Sequence, residues 1–262
     1  MGYRITVGVL AFSVILCGVS SATNADAILL NFGGVSYSGT NDPAHVTGAV
    51  PAGETTWNMV AGDIAAGNVE KSDCSTAAGV SVDIGKNNNP TTGGSAVVWT
   101  VTPGYANYTG GTGIFGTALT QSRDGAQEDQ ACGARVRGLA AGDYDVFAIV
   151  HWANDLGAVN FGIGVDAAGT VDEYNDAGMH TFSAGANPTN ASWIQGTNYW
   201  IQHVTVSSTT DYVILITGDG NEGNGLIGME IVQSVPEPCT LLLAGTGLVA
   251  GAWMRKRTRP TR

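Results

Sequence analysis

Short runs of β-branched and aromatic residues recur along the chain, and Gly, Asn, Asp and Pro separate them. This alternation is typical of strands joined by turns. Nine runs are the clearest strand candidates: residues 28–32, 80–84, 96–101, 134–139, 144–152, 159–165, 199–206, 212–217 and 226–232. No charge-patterned helix lies between them, and a parallel sheet needs such crossover helices. The pattern therefore predicts an all-β fold, an antiparallel β-sandwich of jelly-roll type.

The N-terminus departs from this pattern. Arg4 precedes an apolar run at residues 5–16, and the small-x-small site Ala25-Asp26-Ala27 follows. This order predicts a secretory signal peptide, residues 1–27, that is cut after Ala27. A membrane anchor that is retained is the alternative, but the short apolar run and the polar residues after it argue against an anchor.

The C-terminus, residues 235–262, combines a proline-containing break, an apolar segment and a basic cluster. Residues 239–254 carry no charge and are predicted to form a transmembrane helix, somewhat short for a hydrocarbon core of ~30 Å. The basic stop consists of Arg255, Lys256, Arg257 and Arg259. By the positive-inside rule this cluster stays cytoplasmic, which places the rest of the chain outside.

Residues 28–234 are the predicted secreted domain. They contain five basic and 20 acidic residues, a net charge of -15, whereas the whole chain of 262 residues carries -11. A nucleic-acid binder with a basic surface is therefore excluded. Glycine is abundant, with 38 residues, yet 44% of the chain is apolar, which allows a core. An acidic surface repels anionic polymers, so neutral glycans, or anionic glycans bridged by calcium, are the expected partners.

The tail carries a specific resemblance. Pro236-Glu237-Pro238, a short glycine-containing apolar span and the arginine cluster resemble the PEP-CTERM sorting signal of Gram-negative bacteria. Proteins of that family are handled by an exosortase, a membrane-embedded cysteine protease, and are associated with exopolysaccharide production and the biofilm matrix. The resemblance implies a transient stay in the inner membrane, then transfer to the cell surface or the extracellular matrix. Cys239 stands where serine or alanine is commoner, and we favour an incidental small residue over a modified one.

A second resemblance lies in the central segment. The phrases at residues 29–33, 56–58, 138–147 and 224–232 resemble secreted galactose-binding-like jelly rolls. Each phrase also has a structural cause, such as the glycine-bounded turn at residues 138–142. The resemblance implies a β-sandwich, and fold analogy alone does not confer a function.

Cys74 and Cys132 are the two cysteines of residues 28–234. An even pair in an oxidising compartment predicts a disulfide, which would stabilise the fold by about 4 kcal/mol by closing a long loop. Two unpaired thiols are the alternative. Neither cysteine has a Cys or His neighbour at ligand spacing, so zinc is not expected.

Asp219, Asn221 and Glu222 lie in a glycine-rich stretch between the last two predicted strands. Carboxylate and amide oxygens in a flexible loop are what calcium requires. We favour a metal-free acidic turn, because calcium loops usually supply more than two carboxylates. Calcium is the one candidate cofactor.

Trp193, Asn198, Tyr199 and Trp200 form the best candidate for a glycan platform. Sugars stack their apolar faces on aromatic rings, while their hydroxyl groups bond to polar side chains. Core packing is the more common role of such aromatics. No catalytic residue is predicted, because the four histidines form no zinc-protease motif and spacing along the chain does not select a glycosidase carboxylate pair.

Together these features predict an exported, exosortase-sorted protein of the cell surface or exopolysaccharide matrix that binds carbohydrate without catalysis. A secreted carbohydrate-active enzyme, either a glycoside hydrolase or a lyase, is one alternative, and it predicts a deep cleft with two carboxylates of separated pKa. A purely structural matrix protein is the other, and it predicts no glycan affinity.

Overall fold

The computed structural model describes residues 26–32, 37–87, 96–107, 124–128, 131–152, 159–167, 178–182, 192–218 and 224–234. All of them fall within one unit, Ala25–Ser234. The other unit, Met1–Asn24 with Val235–Arg262, lies outside the described residues, and so do the predicted transmembrane helix, the sorting tail and nearly all of the predicted signal peptide. Within the described ranges, no helix has the length and apolar character needed to cross a bilayer.

The described chain forms twelve strands and one short helix. In chain order they are β1 (Ala27–Asn31), α1 (Pro43–Val46), β2 (Asn58–Met59), β3 (Ser81–Lys86), β4 (Gly104–Asn107), β5 (Asp124–Glu128), β6 (Cys132–Arg137), β7 (Gly142–Trp152), β8 (Val159–Asp166), β9 (Met179–Phe182), β10 (Trp200–Val206), β11 (Tyr212–Thr217) and β12 (Asn224–Gln233). The predicted all-β sandwich of jelly-roll type is confirmed.

Two sheets make up the sandwich. Sheet A follows the order β10-β7-β12-β1-β2, and β5 joins it by pairing with both β12 and β4. Sheet B follows the order β3-β6-β11-β8-β9. The described strands pair antiparallel, apart from the short parallel pairing of β1 with β2. The first and last strands are neighbours, with Ala27 opposite Val232.

The core lies between the sheets because side chains alternate across each strand. Sheet A contributes the inward positions of β7 and β12, and sheet B those of β6 and β11; the residues are Tyr144, Val146, Ala148, Val150, Met229, Ile231, Ala134, Val136, Val213 and Leu215. Burial of each large apolar side chain in such a core stabilises the fold by about 1.5–3 kcal/mol.

Sheet A is also apolar on its other face, and a third layer covers it. Residues 37–57 and 192–199 form this covering, here termed the outer layer. Leu29, Phe147 and Ile149 of the sheet pack with Ala44 and Val50 of the outer layer in a second buried cluster. The fold therefore has three layers in the order outer layer, sheet A and sheet B.

Helix α1, in the outer layer, has a well-defined N-terminus. Asp42 caps the helix by accepting the backbone N–H of His45 at 3.0 Å, and Pro43 occupies the first turn. An Asp cap followed by proline is favoured at a helix start, because the cap satisfies an exposed N–H and proline has none.

One predicted strand is wrong. Residues 96–101 form isolated bridges at Ala96 and Val98, the latter with Lys86, and otherwise lie across the outer side of sheet B. Two glycines make this close approach possible, since a Cβ on Gly85 would lie 2.7 Å from Val97 and one on Gly133 would lie 3.1 Å from Trp99. The apolar residues of this run thus cover a sheet instead of extending it.

The sequence pattern also missed five elements: α1, β2, β4, β5 and β9. The four strands are short, and β5, with the sequence Asp-Gly-Ala-Gln-Glu, has no apolar run. Runs this short, or without apolar residues, do not stand out in the sequence from the turns around them.

The glycine at the end of β6 gives a test of the packing between loops. Gly138 and Gly67 share a φ of 90°, but a Cβ on Gly138 would collide with the backbone carbonyl of Gly79, whereas one on Gly67 meets nothing. We expect Gly67→Ala to lower the free energy of unfolding by about 1 kcal/mol and Gly138→Ala by about 2–4 kcal/mol. Urea unfolding of the two variants measures the difference, and equal losses would contradict it.

Candidate functional site

Three half-buried aromatic rings of the outer layer gather around residues 39–41. Trp57 Nε1 donates to the carbonyl of Gly39 at 3.3 Å, and Trp193 Nε1 donates to the carbonyl of Asn41 at 3.0 Å. Tyr37 Oη accepts the backbone N–H of Asn41 at 3.1 Å, and its ring meets Trp57 edge-on at 5.1 Å. Tyr37, Trp57 and Trp193 are here termed the aromatic rim. Because each ring is held at its polar edge, the rim is a preorganised apolar surface.

The predicted glycan platform is only partly assembled. Trp193 meets Tyr199 edge-on, with ring centroids 6.0 Å apart, and both belong to the cluster on the outer face of sheet A. Tyr199 is buried, however, and stacks near Phe147 at 6.4 Å. Asn198 is buried too and closes its own turn, because its Oδ1 accepts the N–H of Ile194 at 2.7 Å and its Nδ2 donates to Ser192 at 2.9 Å.

Trp200 lies on the opposite face of β10. Its ring packs 4.3 Å from the ring of His180 and 6.2 Å from that of Phe161, on the side of the main core. Burial lowers the pKa of His180, against a hydrogen bond between its ring and Gln202 that favours the protonated form. Trp200 thus closes the side of the sandwich between β10 and β9, and it does not share a surface with Trp193.

Sequence reasoning missed Tyr37 as a site residue and noted Trp57 only for its fold resemblance. Both lie far from Trp193 along the chain, and no spacing rule connects them. The only local signal was the Thr56-Trp57-Asn58 phrase, in which Asn58 holds the segment by donating to Leu29 and Glu70 and accepting from Glu70.

A buried acid lies beneath the outer layer. Glu230 of β12 is 0% exposed, and its Oε2 accepts the backbone N–H of Ala44 at 2.7 Å. Its Oε1 has no hydrogen-bond partner among the described residues. Burial, together with the charge of Asp42, raises the pKa of Glu230 well above its ordinary 4.5, against the hydrogen bond from Ala44. The neutral acid is the favoured form, since an unpaired buried carboxylate is costly.

Asp42 and His45 form an ion pair in the same layer. His45 Nδ1 lies 2.6 Å from Asp42 Oδ2, and His45 Nε2 lies 2.8 Å from the carbonyl oxygen of Glu54. A carbonyl and a carboxylate can only accept, so both ring nitrogens carry hydrogen and the imidazole is cationic. Burial opposes this charge, but the hydrogen bond and charge of Asp42 and the carbonyl of Glu54 outweigh burial and raise the pKa of His45.

Shifted pKa values often mark catalytic sites, but this cluster is sealed. The side chains of Asp42 and His45 are 0% and 3% exposed. Burial also raises the pKa of Tyr37 to about 12, and the charges of Asp42 and Glu230 add to the effect. The cluster ties the outer layer to sheet A, and its described groups offer no open position for a substrate.

A cleft of about 340 Å³ opens at the end of the sandwich where β1 begins and β12 ends. Its floor is apolar, with Ile28, Leu139 and Ile231, and its rim includes an ion pair of 2.7 Å between Lys71 and Asp26. Asp26 is the only carboxylate among its described lining residues. The cleft therefore lacks the carboxylate pair that glycoside hydrolysis requires.

The predicted disulfide between Cys74 and Cys132 is not formed in the structure. Cys74 is exposed, and its Sγ lies 2.7 Å from Thr56 Oγ1, whereas Cys132 is buried on β6, and its Sγ lies 3.1 Å from Thr217 Oγ1. An even number of cysteines and an oxidising compartment permit a bridge, but only the right Cβ geometry allows it.

The predicted calcium residues Asp219, Asn221 and Glu222 lie outside the described residues, as do the sorting residues Pro236, Glu237 and Pro238 and the basic stop. In the sequence, the three calcium candidates stand between β11 and β12. In the described part of the chain, no group of three or more His, Cys, Asp or Glu is arranged to hold a metal ion.

A family model of the PEP-CTERM protein-sorting motif matches residues 234–257. The chain carries a PEP-CTERM motif. The match includes Pro236, Glu237 and Pro238 and reaches into the basic stop. The PEP-CTERM motif implies an exported protein that an exosortase sorts, with a membrane-anchored stage before processing.

Similarity outside the PEP-CTERM motif is slight. No curated protein matches the chain significantly. One similar solved structure is that of TmCBM61 in complex with β-1,4-galactotriose, with 11% sequence identity and a TM-score of 0.24 over 42% of this chain and 70% of that chain. So low a score carries no argument about what this chain binds.

Thiol labelling tests the cysteine assignment. We expect a maleimide to modify Cys74 in the folded protein and Cys132 only after unfolding, because the first thiol is exposed and the second is buried. Peptide mass mapping distinguishes them from Cys17 and Cys239. Detection of a disulfide-linked peptide that contains both Cys74 and Cys132 under non-reducing conditions would contradict this expectation and support the predicted disulfide.

The buried acid predicts a pH dependence of stability. A group with a raised folded-state pKa stabilises the fold fully below its ordinary pKa, 4.5 for Glu230 and 6.5 for His45, and this contribution is lost as the pH rises through the raised value. Glu230→Gln removes one of the two contributions. We expect the decline in the free energy of unfolding as the pH rises above 4.5 to become shallower.

Urea unfolding at a series of pH values measures this decline. Glu70→Gln is the matched control, because Glu70 is exposed and the same change there removes a charge without a buried acid. A slope that Glu230→Gln leaves as steep as that of the wild type would rule out the buried acid as its source.

Proposed function

We propose that this protein is an exported, exosortase-processed component of the cell surface or the exopolysaccharide matrix, and that its sandwich binds carbohydrate without catalysis. The observation that carries the sorting part is the PEP-CTERM motif, which begins at residue 234, immediately after β12 ends. An N-terminal signal peptide that starts export, and removal of the tail after the inner-membrane stage, complete this part of the proposal.

The aromatic rim is the proposed glycan-binding surface. Stacking on a sugar ring needs an aromatic face that does not move, and hydrogen bonds to residues 39–41 hold the rings of Trp57 and Trp193. The outer layer also holds exposed apolar residues, Val46 at 59% and Ile194 at 47%. This surface supports a site based on Trp193, Trp57 and Tyr37 instead of the predicted group that included Trp200.

The negative charge of the domain limits the classes of glycan that it can bind. With a net charge of -15 over residues 28–234, neutral chains, or anionic chains bridged by calcium, are the proposed ligands. Asp219, Asn221 and Glu222 are the proposed calcium ligands, and chelation tests them.

Two observations support a role without catalysis. Glu230 and Asp42, the interacting carboxyl groups of the buried cluster, are out of reach of a substrate. The described cleft has a single carboxylate, Asp26, whereas a glycosidase needs a pair.

Binding measurements with rim variants test the site. We expect Trp193→Ala to weaken glycan binding by about tenfold or more, because one central aromatic anchor commonly contributes this much. Trp193→Phe keeps an aromatic ring for stacking and removes the hydrogen bond to Asn41, so it should retain more affinity than Trp193→Ala. Trp99→Ala is the matched control, because Trp99 stacks on Arg135 at 4.5 Å on the other sheet.

The experiment starts with a glycan array and a pull-down of exopolysaccharide with the exported protein, with calcium or with a chelator. Saturable binding that Trp193→Ala weakens and Trp99→Ala leaves intact supports the rim. Loss on chelation supports the calcium residues. Shortened glycan chains would replace the proposal with an enzyme, and absence of binding to any glycan would replace it with a structural matrix protein.

A further inference from the structure

We infer that the mature protein begins at or before Asp26, so that signal peptidase does not cut after Ala27. The inference rests on the proposed export of the chain. It concerns the first strand, β1, whose start the small-x-small site Ala25-Asp26-Ala27 overlaps.

Ala27 is an integral part of sheet A. It is 0% exposed, it lies opposite Val232 in the ladder with β12, and its side chain belongs to the buried cluster under the outer layer. Its carbonyl accepts the backbone N–H of Ser72 at 2.9 Å. Removal of Ala27 would leave this N–H, which belongs to a buried residue, without its partner, at a cost of about 1–3 kcal/mol.

Asp26 is also held by the fold. Its carbonyl accepts the backbone N–H of Gln233 at 2.9 Å, which extends the β1–β12 pairing by one position. Its carboxylate forms the 2.7 Å ion pair with Lys71 at the rim of the cleft. Two backbone hydrogen bonds and one ion pair therefore depend on residues that a cut after Ala27 would remove.

The new N-terminus after such a cut would itself be unfavourable. It would be Ile28, which is 5% exposed and packs in the main core between the sheets. An α-amino group has an ordinary pKa of about 8, so it is mostly charged at neutral pH. A charge at this position would have to be buried without a partner or would pull β1 out of the sheet.

Two upstream triplets provide the small residues that signal peptidase needs. Ser20-Ser21-Ala22 and Thr23-Asn24-Ala25 each end in alanine with a small residue two positions earlier. A cut after Ala22 or after Ala25 leaves Asp26 and Ala27 in place. The bond used is thus set by competition among three sites, and only the two upstream sites yield a domain with a complete first strand.

Intact mass and N-terminal sequencing of the exported protein test the inference. We expect an N-terminus at Thr23 or at Asp26. Ala22→Leu should move a Thr23 start to Asp26, because it blocks only the first triplet, whereas the double variant Ala22→Leu/Ala25→Leu should prevent cleavage after Ala22, Ala25 and Ala27, since Ala25 also belongs to the third triplet. An N-terminus at Ala27 or Ile28 overturns the inference while export stands, and a chain that keeps Met1 and stays in the cytoplasm overturns the export proposal itself.

A deletion tests the physical reason. Removing Asp26 and Ala27 from a full chain that also carries Ala22→Leu leaves only the triplet that ends at Ala25, so the exported product begins at Ile28 and lacks the native β1 start. We expect its midpoint of thermal unfolding to fall by roughly 5 °C or more, from the lost hydrogen bonds alone. Asp26→Ala, which keeps the backbone and removes only the ion pair, is the control and should shift the midpoint by about 1–2 °C. A deletion variant that melts like the wild type would show that the strand start is dispensable and would overturn the argument.

Discussion

β12 lies in the middle of sheet A, between β7 and β1, although it is the last strand of the described chain. Its inward side chains Met229 and Ile231 belong to the core between the sheets, and its outward Glu230 holds α1 of the outer layer. All three layers therefore depend on one strand. None of them is complete until the end of the domain has been added, so the fold relies on pairings between residues far apart in sequence, which form slowly.

The outer layer separates two kinds of chemistry, a buried group of ionisable side chains and an aromatic surface. Beneath it, Asp42 and His45 form an ion pair and Glu230 accepts the N–H of Ala44 in a sealed cluster, and the raised pKa values of Glu230 and His45 follow from burial and from the charge of Asp42. On it, the rings of the aromatic rim meet solvent with their polar edges already used by residues 39–41. The groups with raised pKa values thus lie where the outer layer attaches to sheet A. The surface suited to a ligand instead consists of rings that are hydrogen-bonded to residues 39–41.

Much of the sandwich was predictable, because its long strands bury a regular apolar pattern. Residues 212–217 and β11 agree at both ends, and β7 and β12 differ from their predicted runs by a few residues. The run at 96–101 misled for a physical reason, because an apolar segment that covers glycines on a sheet has the same composition as one that joins the sheet. Short strands such as β5 have no such apolar pattern in the sequence.

The site was much less predictable than the fold. Of the predicted platform, Trp193 and Tyr199 lie on the outer-layer side of sheet A, whereas Trp200 faces the core, because neighbouring positions of an extended chain point to opposite sides. The disulfide prediction was wrong because a bridge requires the right distance and direction of two Cα–Cβ bonds, and the number of cysteines does not reveal this geometry. Tyr37 contacts Trp57 directly and is linked to Trp193 through residues 39–41, and contacts between such distant parts of the chain leave no pattern in the sequence.

The central position of β12 also has a mechanical consequence. The PEP-CTERM tail continues directly from this strand, so any force on the chain while its tail is held enters the domain through β12. Such a force cannot peel away an edge strand, since β12 is bonded to β7 on one side and to β1 on the other. It has to shear both rows of hydrogen bonds together, which makes the attachment point one of the parts of the domain most resistant to being pulled out.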